Sequence, residues 1–109
     1  MKDRCVSVFV TAPGAAEAKK IAARVVGGKL AACASIVGGL DSSYWWKGKI
    51  ERSREVLIIM KTRASLMEKL VRVVKKEHSY RVPEIIAVPI THGNRDYLKW
   101  IEESVALNK

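Results

Sequence analysis

Cysteine and histidine are the side chains of this sequence best suited to bind a transition metal, and each occurs only twice. A thiolate such as that of Cys33 is a soft ligand that suits Cu(I), whereas the imidazole of His78 suits Cu(II) or zinc. Together they are too few for a tight structural site within one chain. Two alternatives stay open: Cys33 as a packed core residue, and His78 as a solvated cation at the end of a helix.

A second candidate site is cationic. Side chains alternate between the two faces of a strand. Lys61 and Arg63 therefore lie on the same face of a predicted strand as Leu57 and Ile59, the apolar residues that precede them. This pattern predicts a cleft for a small anionic ligand where the sheet meets an interface. The alternative is that both side chains extend to water at the end of the strand.

The segment HSYRVPEI adds polar side chains between a predicted helix and a predicted strand. Tyr80 and Glu84 flank Arg81, and we expect these three to complete the cleft with Lys61 and His78. Glu84 alternatively pairs with a nearby basic residue.

Aromatic side chains are concentrated in a second segment, the run YWW near the tip of a predicted hairpin. Tyr44 and Trp45 are assigned to the same cleft. Trp45 must face away from its two neighbours, and aromatic residues at this place are expected to pack against a neighbouring subunit.

A catalytic function is not favoured. Cys33 and His78 are a nucleophile and a base by type. The sequence, however, has no evident orienting acid, no nucleophile-elbow glycines and no phosphate-binding GxxxxGK[ST] spacing. We therefore expect a binding protein and not an enzyme.

The net charge of +9 on 109 residues is large, but the basic residues are spread along the whole chain. The sequence has no dense basic tail, aromatic RNA-binding strand or helix-turn-helix, so no specific nucleic-acid partner is expected. No apolar run approaches the roughly 20 residues of a membrane span, and the N-terminus lacks the features of a secretory signal. We expect a cytoplasmic protein without a membrane partner.

Hydrophobic periodicity predicts the order β-α-β-β-α-β followed by a third helix. This order is typical of the α+β ferredoxin-like fold, a two-layer sandwich of one sheet and two helices, and it predicts a single domain over residues 1–109. The predicted strands are 4–11, 30–46, 49–62 and 84–91, and the predicted helices are 15–26, 66–77 and 95–107.

Four local features are specific enough to test. The long second strand should bend at Gly38-Gly39, and Lys47-Gly48 should form a two-residue turn that closes a long hairpin. Ser65 should cap the second helix. Pro89 lacks a backbone donor, so the fourth strand should lie at an edge of the sheet.

The two inner strands of such a sheet are apolar on both faces. In EVLIIMK, Val56, Ile58 and Met60 point one way, and Leu57 and Ile59 point the other way. Two helices cover only one face, and monomers rarely expose a large apolar patch. A second copy of the chain is the simplest cover, so we expect an obligate homo-oligomer.

The segments LAACASI, SSYWWKGKIE, VLIIMKTR, HSYRVPEIIAVPI and GNRDYLKWIEESV resemble the CutA family of divalent-cation tolerance proteins, in the family's order. The resemblance covers nearly the whole chain. It implies a ferredoxin-like subunit, a homotrimer, and a cytoplasmic role in tolerance of copper and other divalent metals, with weak binding of copper. A trimer of this topology also resembles the PII-type signalling proteins. The alternative function is therefore a sensor that binds an anionic ligand in clefts between subunits, and a scaffold for a protein partner is the remaining role.

Four positions depart from the family's pattern. Where the family usually has His-Pro-Tyr-Glu, this chain has HSYR, so that Ser79 replaces the proline and Arg81 replaces the glutamate. Ala34 and Ser35 follow Cys33 in place of the usual valine and asparagine. A guanidinium beside His78 is expected to lower the affinity of the site for cations.

Overall fold

The computed structural model describes residues 3–106. In that range the elements follow the predicted order, and the chain has an α+β fold. The strands are β1 (Cys5–Ala12), β2 (Cys33–Trp46), β3 (Lys49–Arg63) and β4 (Ile85–Pro89), and the helices are α1 (Ala15–Gly27), α2 (Met67–Glu77) and α3 (Arg95–Ser104). The predicted end of the third helix, Leu107, lies outside the described residues.

The four strands form one antiparallel sheet in the order β2-β3-β1-β4. Among the described residues, strand β4 pairs only with β1, where Pro89 lies opposite Val6. The missing backbone donor of Pro89 therefore falls on an edge strand, as predicted.

The core lies between the sheet and the helices α1 and α2. Val8 and Val10 of β1 and Ile58 and Met60 of β3 are fully buried. Burial of each such side chain contributes about 1.5–3 kcal/mol, which makes this layer the main source of stability. From the helices the core receives Ala18, Ile21, Val25, Leu70 and Val74.

The hairpin of β2 and β3 extends beyond the rest of the sheet. Strand β1 ends at Ala12, opposite Val56, so residues 49–55 of β3 pair only with β2. The register of the hairpin shifts between Val37 and Leu40, at the predicted bend. At the tip, Lys47 and Gly48 have φ values of 51° and 78°, which match the type I′ turn of tight hairpins.

Ser65 does not cap the second helix, and this prediction was wrong. A 3-10 turn over Ala64–Leu66 precedes α2, which begins at Met67 without a side-chain cap. The backbone N–H and the hydroxyl of Ser65 both donate to the carboxylate of Asp3. The serine therefore fixes the segment before β1, because hydrogen bonds donated to a carboxylate are charge-assisted and stronger than neutral ones.

The opposite face of the sheet, here called the outer face, is covered only in part. Helix α3 lies at the end that contains Cys5, whose thiol donates to the carbonyl of Leu98 at 3.7 Å. Cys5 is buried. Farther along this face Val37, Ile86 and Val88 are 45, 51 and 43% exposed. No helix within residues 3–106 is long and apolar enough to cross a membrane.

Candidate functional site

A cavity of about 930 Å³ lies beyond the end of β1, between the projecting hairpin and the segment 79–84. We call it the hairpin cleft. Beyond the end of β1, the edge of β3 that faced β1 is unpaired, and this part of β3 forms one wall of the cleft. The lining residues are Thr11, Asp41, Ser42, Ser43, Tyr44, Trp45, Trp46, Glu51, Glu55, Ser79, Tyr80, Arg81, Val82 and Glu84.

Five of the predicted cleft residues meet in this cavity: Tyr44, Trp45, Tyr80, Arg81 and Glu84. The hairpin supplies the first two, and the segment after α2 supplies the other three. The structure thus brings together two sequence segments that were assigned to one cleft on residue type alone.

Tyr80 and Glu55 form the closest side-chain contact of the cleft. The hydroxyl of Tyr80 donates to Oε2 of Glu55 at 2.8 Å, and Glu55 is only 7% exposed. Burial, followed by the hydrogen bond and the negative charge of Glu55, raises the pKa of the Tyr80 phenol well above its ordinary value. The phenol therefore remains a neutral donor at physiological pH.

The cleft is acidic although the whole protein is strongly basic. Its lining contains the four carboxylates of Asp41, Glu51, Glu55 and Glu84, against the single guanidinium of Arg81. Asp41 forms an exposed ion pair with Arg54, whose Nε lies 3.5 Å from its carboxylate. A surface of this sign attracts cations and repels anions.

His78 lies behind the cleft and is not a solvated cation, because its side chain is fully buried. Nε2 donates to the carbonyl of Thr11 at 2.7 Å, and Nδ1 accepts the backbone N–H of Tyr80 at 3.0 Å. The carboxylate of Glu17 lies 3.4 Å from the same Nδ1. Both ring nitrogens are thus engaged, and the ring orients the segment that carries Tyr80.

Lys61 and Arg63 do not reach the hairpin cleft of their own subunit. Lys61 pairs with Ser7 and Cys33, at the other end of the sheet. Six residues of strand separate it from Glu55, which corresponds to about 20 Å. The Nε of Arg63 lies 2.9 Å from the carboxylate of Asp3. One chain therefore does not group these two residues with Tyr80, and the predicted grouping in a cleft between subunits stays a prediction.

Cys33 lies on the outer face and is half-buried. Its Sγ is 3.7 Å from the hydroxyl of Tyr97 in α3, and Lys61 is its neighbour across the strands. Cys33 lies in line with Ser7 across the sheet, whereas His78 is hydrogen-bonded to Thr11. Ser7 and Thr11 are four residues apart on β1. One subunit therefore does not bring Cys33 and His78 together as ligands of one metal ion.

Within residues 3–106, no three side chains of His, Cys, Asp or Glu converge closely enough to hold a metal ion. A tight structural site therefore does not fit the described part of a single subunit. The carboxylates of the cleft are oxygen ligands, which suit hard and borderline divalent cations, and they are separated enough to favour weak binding.

Sequence reasoning missed Glu51 and Glu55, although a signal was present. The two glutamates continue, toward the hairpin tip, the same alternating row of β3 to which Leu57 and Ile59 belong. Lys61 and Arg63 continue that row in the opposite direction. Alternation identified the face correctly, but the end of the row that meets the segment 79–84 depends on tertiary packing.

Comparison with known proteins establishes the family. The family described as CutA1 divalent ion tolerance protein matches residues 6–104. This chain belongs to that family. The CutA1 description names a tolerance and not a reaction.

Two curated CutA relatives are similar over most of this chain. The chain is 44% identical over 100 residues to the divalent-cation tolerance protein CutA of Escherichia coli, which covers 92% of this chain and 89% of the relative. It is 47% identical over 97 residues to protein CutA 1, chloroplastic, of rice, over 89% of this chain. The match spans 55% of the length of that rice protein.

Solved CutA1 structures have the same fold. The crystal structure of rice CutA1 superposes with a TM-score of 0.94 at 43% identity and covers 97% of both chains. The protein of Thermus thermophilus superposes with a TM-score of 0.92 at 42% identity, over 94% of this chain and 99% of that chain.

Proposed function

We propose that this protein acts in divalent-cation tolerance as a cytoplasmic homotrimer that binds divalent cations, copper among them, weakly and without catalysing a reaction. The names of its relatives in Escherichia coli and in the matching family support the role in tolerance. The observation that carries the proposal is the acidic lining of the hairpin cleft on a protein of net charge +9.

Charge and ligand type both favour a cation in the cleft. A basic surface repels cations in general, so carboxylates that line one cleft concentrate them at one place. Glu51 and Glu55 share one face of β3, and Glu84 approaches from the segment before β4. Arg81 opposes them and lowers the affinity, which agrees with transient binding and not with a permanent metal centre.

The predicted copper ligands Cys33 and His78 enter this proposal only through assembly. His78 has no free ring nitrogen, and Cys33 lies on the outer face that a neighbouring subunit would cover. A thiolate site for copper at Cys33 would thus require further ligands from other subunits of the trimer.

Calorimetric titration with Cu²⁺ tests the proposal. We expect the double variant Glu51→Gln, Glu84→Gln to bind copper at least about tenfold more weakly. Each change removes the negative charge of a carboxylate and keeps the shape of the side chain. The matched control is Glu68→Gln, Glu103→Gln, which makes the same charge change on exposed helical positions. Equal binding by both variants would contradict a role for the cleft, and a loss confined to Cys33→Ser would move the site to the outer face.

No structural observation favours the PII-like alternative. An anionic ligand would meet four carboxylates and only Arg81 as a counter-charge, since Lys61 and Arg63 lie elsewhere. The hypothesis stays a prediction, and titration with ATP and with citrate under the same conditions tests it. We expect no measurable heat of binding.

A further inference from the structure

The side of the helical layer that faces away from the sheet is strongly basic. Basic residues are spread along the sequence, but α1 and α2 bring seven of them to this one surface, which we call the basic helix face. All seven are exposed: Lys19, Lys20, Arg24, Lys69, Arg72, Lys75 and Lys76. The fold thus concentrates a charge that the sequence distributes.

Carboxylates do not balance the charge of the basic helix face. The two helices contain three glutamates, and two of these are only partly exposed and already engaged. The carboxylate of Glu77 lies 3.9 Å from Nζ of Lys20 and 3.8 Å from Nε of Arg24. Glu17 accepts two hydrogen bonds from the segment after α2. Glu68 is the one exposed carboxylate of α1 and α2, so the face keeps a large excess of positive charge.

Helix stability does not explain this arrangement. Lys75 and Lys76 suit the negative C-terminal end of α2, but Lys69 lies in the first turn, where the helix dipole disfavours a cation. Lys69 and Arg72 are three residues apart and Arg72 and Lys76 are four apart, so like charges are neighbours along α2. Within residues 3–106, Lys69, Arg72 and Lys76 form no ion pair. Neighbouring like charges weaken a helix, which indicates that these cations serve something other than folding.

The side chains of the basic helix face favour phosphate groups over lipid chains or unpaired bases. Val26, at 37%, is the single exposed large apolar side chain of α1 and α2. Among residues 3–106, the exposed aromatic side chains lie on β2 and α3. Helices that bind at a membrane insert apolar side chains, and proteins that bind single strands stack bases on aromatic rings. A duplex presents its phosphate backbone outward and requires only cations.

The dimensions of the face also agree with a duplex. Lys69 and Lys76 are seven residues apart, which corresponds to about 10 Å along α2. Helix α1 packs against α2, and packed helices lie about 8–10 Å apart. A duplex carries one phosphate charge per about 1.7 Å of its axis, so 10 Å of duplex presents about six phosphates. Two adjacent helices therefore hold several cations against such an array at once.

We propose that the basic helix face binds the phosphate backbone of a nucleic-acid duplex without reading its sequence, through Lys69, Arg72 and Lys76 of α2 together with the basic residues of α1. Binding of this kind requires no base contacts, which agrees with the absence of a sequence-reading motif. The face lies on the other side of the sheet from the outer face and shares no residue with the hairpin cleft. The inference is therefore independent of the proposed metal binding.

Fluorescence anisotropy with a labelled DNA duplex of about 20 base pairs tests the proposal on the full-length protein. In 50 mM NaCl we expect a Kd of about 1–10 μM, which is the same for two unrelated sequences. Contacts to about four phosphates predict a slope of log affinity against log salt of about −3.6. The affinity should accordingly fall about a hundredfold between 50 and 200 mM NaCl.

Matched variants locate the contact. Lys69→Gln, Arg72→Gln should weaken binding in 50 mM NaCl at least about tenfold and reduce the slope to about −1.8, because each phosphate contact contributes about 0.9. The control is Arg95→Gln, Lys99→Gln, which makes the same charge change at exposed positions of α3 and should leave the slope unchanged. Circular dichroism and sedimentation confirm that both variants keep the fold and the assembly.

The remaining outcomes each overturn the proposal. Equal loss of affinity in the two double variants would show that net charge, and not the basic helix face, determines binding. Tighter binding of a single-stranded oligonucleotide of the same length would assign the contact to aromatic residues elsewhere. Sedimentation with phosphatidylcholine vesicles that contain about 30% phosphatidylserine provides the last arm, and binding to these vesicles without binding to the duplex would identify a membrane surface instead. Copper binding measured in parallel separates each of these failures from failure of the proposed function.

Discussion

Tyr80 connects the cleft to the body of the protein through two different groups. Its hydroxyl donates to Glu55 of the hairpin, and its backbone N–H donates to the buried His78. The ring of His78 in turn donates to the carbonyl of Thr11 at the end of β1. The position of Tyr80 is therefore determined by β1 and β3 together, which fixes the wall that Arg81 and Glu84 continue.

Removal of the Tyr80 hydroxyl should destabilise the protein. Tyr80→Phe leaves the buried carboxylate of Glu55 without its hydrogen-bond donor, and loss of a bond to a carboxylate costs about 1.5–3 kcal/mol. Urea unfolding measures the change. Tyr44→Phe is the control, because the Tyr44 hydroxyl is hydrogen-bonded to the neutral Ser53, at 3.2 Å on an exposed surface, and it should change stability by less than about 0.5 kcal/mol.

Tyr80 should also make stability dependent on alkaline pH. Its pKa is raised in the folded protein by burial and by Glu55, so the folded state holds the phenolic proton more tightly than the unfolded state does. The resulting stabilisation is complete below the ordinary tyrosine pKa of about 10. It is lost as the pH rises from there through the folded pKa.

Unfolding midpoints of the wild type and of Tyr80→Phe should therefore converge above about pH 10. The comparison of the two proteins cancels the deprotonation of lysines, which affects both. A difference that stays constant from pH 8 to pH 11 would show that Tyr80 contributes no proton linkage.

At the scale of elements, the bend of β2 depends on one of its two glycines. Gly39 has φ of +79°, whereas Gly38 has no positive φ, and an added Cβ would meet no atom within 4 Å at either position. Gly39→Ala should cost about 1–2 kcal/mol because of the left-handed backbone alone. Gly38→Ala should be neutral or stabilise by up to about 1 kcal/mol. Thermal unfolding of the two variants measures both changes in stability. Equal changes would contradict the assignment of the bend to Gly39.

The hairpin and the edge strand were predictable because local chemistry determines them. Gly39 and Gly48 permit a positive φ, and Pro89 lacks a backbone donor, whatever surrounds them. Ser65 shows the limit of such rules, since a nearby carboxylate from Asp3 displaced its predicted role as a cap. A capping preference of about 1 kcal/mol is easily exceeded by tertiary contacts.

The candidate site was predictable only in composition. Residue types assigned Tyr44, Trp45, Tyr80, Arg81 and Glu84 to one cleft, and all five line the hairpin cleft. Lys61 and Arg63 do not line it within one chain, because they lie at the opposite end of the strand row from Glu51 and Glu55. The end of the β3 row that meets the segment 79–84 depends on where strand β1 ends. The alternation of side chains along β3 carries no information about the length of β1.

At the scale of the whole molecule, the two faces of the sheet differ in their cover. Helices α1 and α2 cover the centre of one face, where Val8, Val10 and Ile58 are fully buried. On the outer face, Ile86 and Val88 stay 51 and 43% exposed on the edge strand. Such a patch on a small protein is typical of an interface, and it supports the proposed homotrimer.

Introduction of a charge on the outer face should therefore dissociate the assembly without unfolding the subunit. Val88→Lys places an ammonium group in the proposed interface, where it loses water without gaining a partner. Val26→Lys makes the same substitution on α1, where the valine is 37% exposed, and it should leave the assembly intact.

In sedimentation at low micromolar concentration we expect the wild type and Val26→Lys at three times the 12.1 kDa chain mass. Val88→Lys should sediment at a lower mass with an unchanged circular dichroism spectrum. A wild type of single-chain mass would refute the trimer, and a trimeric Val88→Lys would move the interface to another surface.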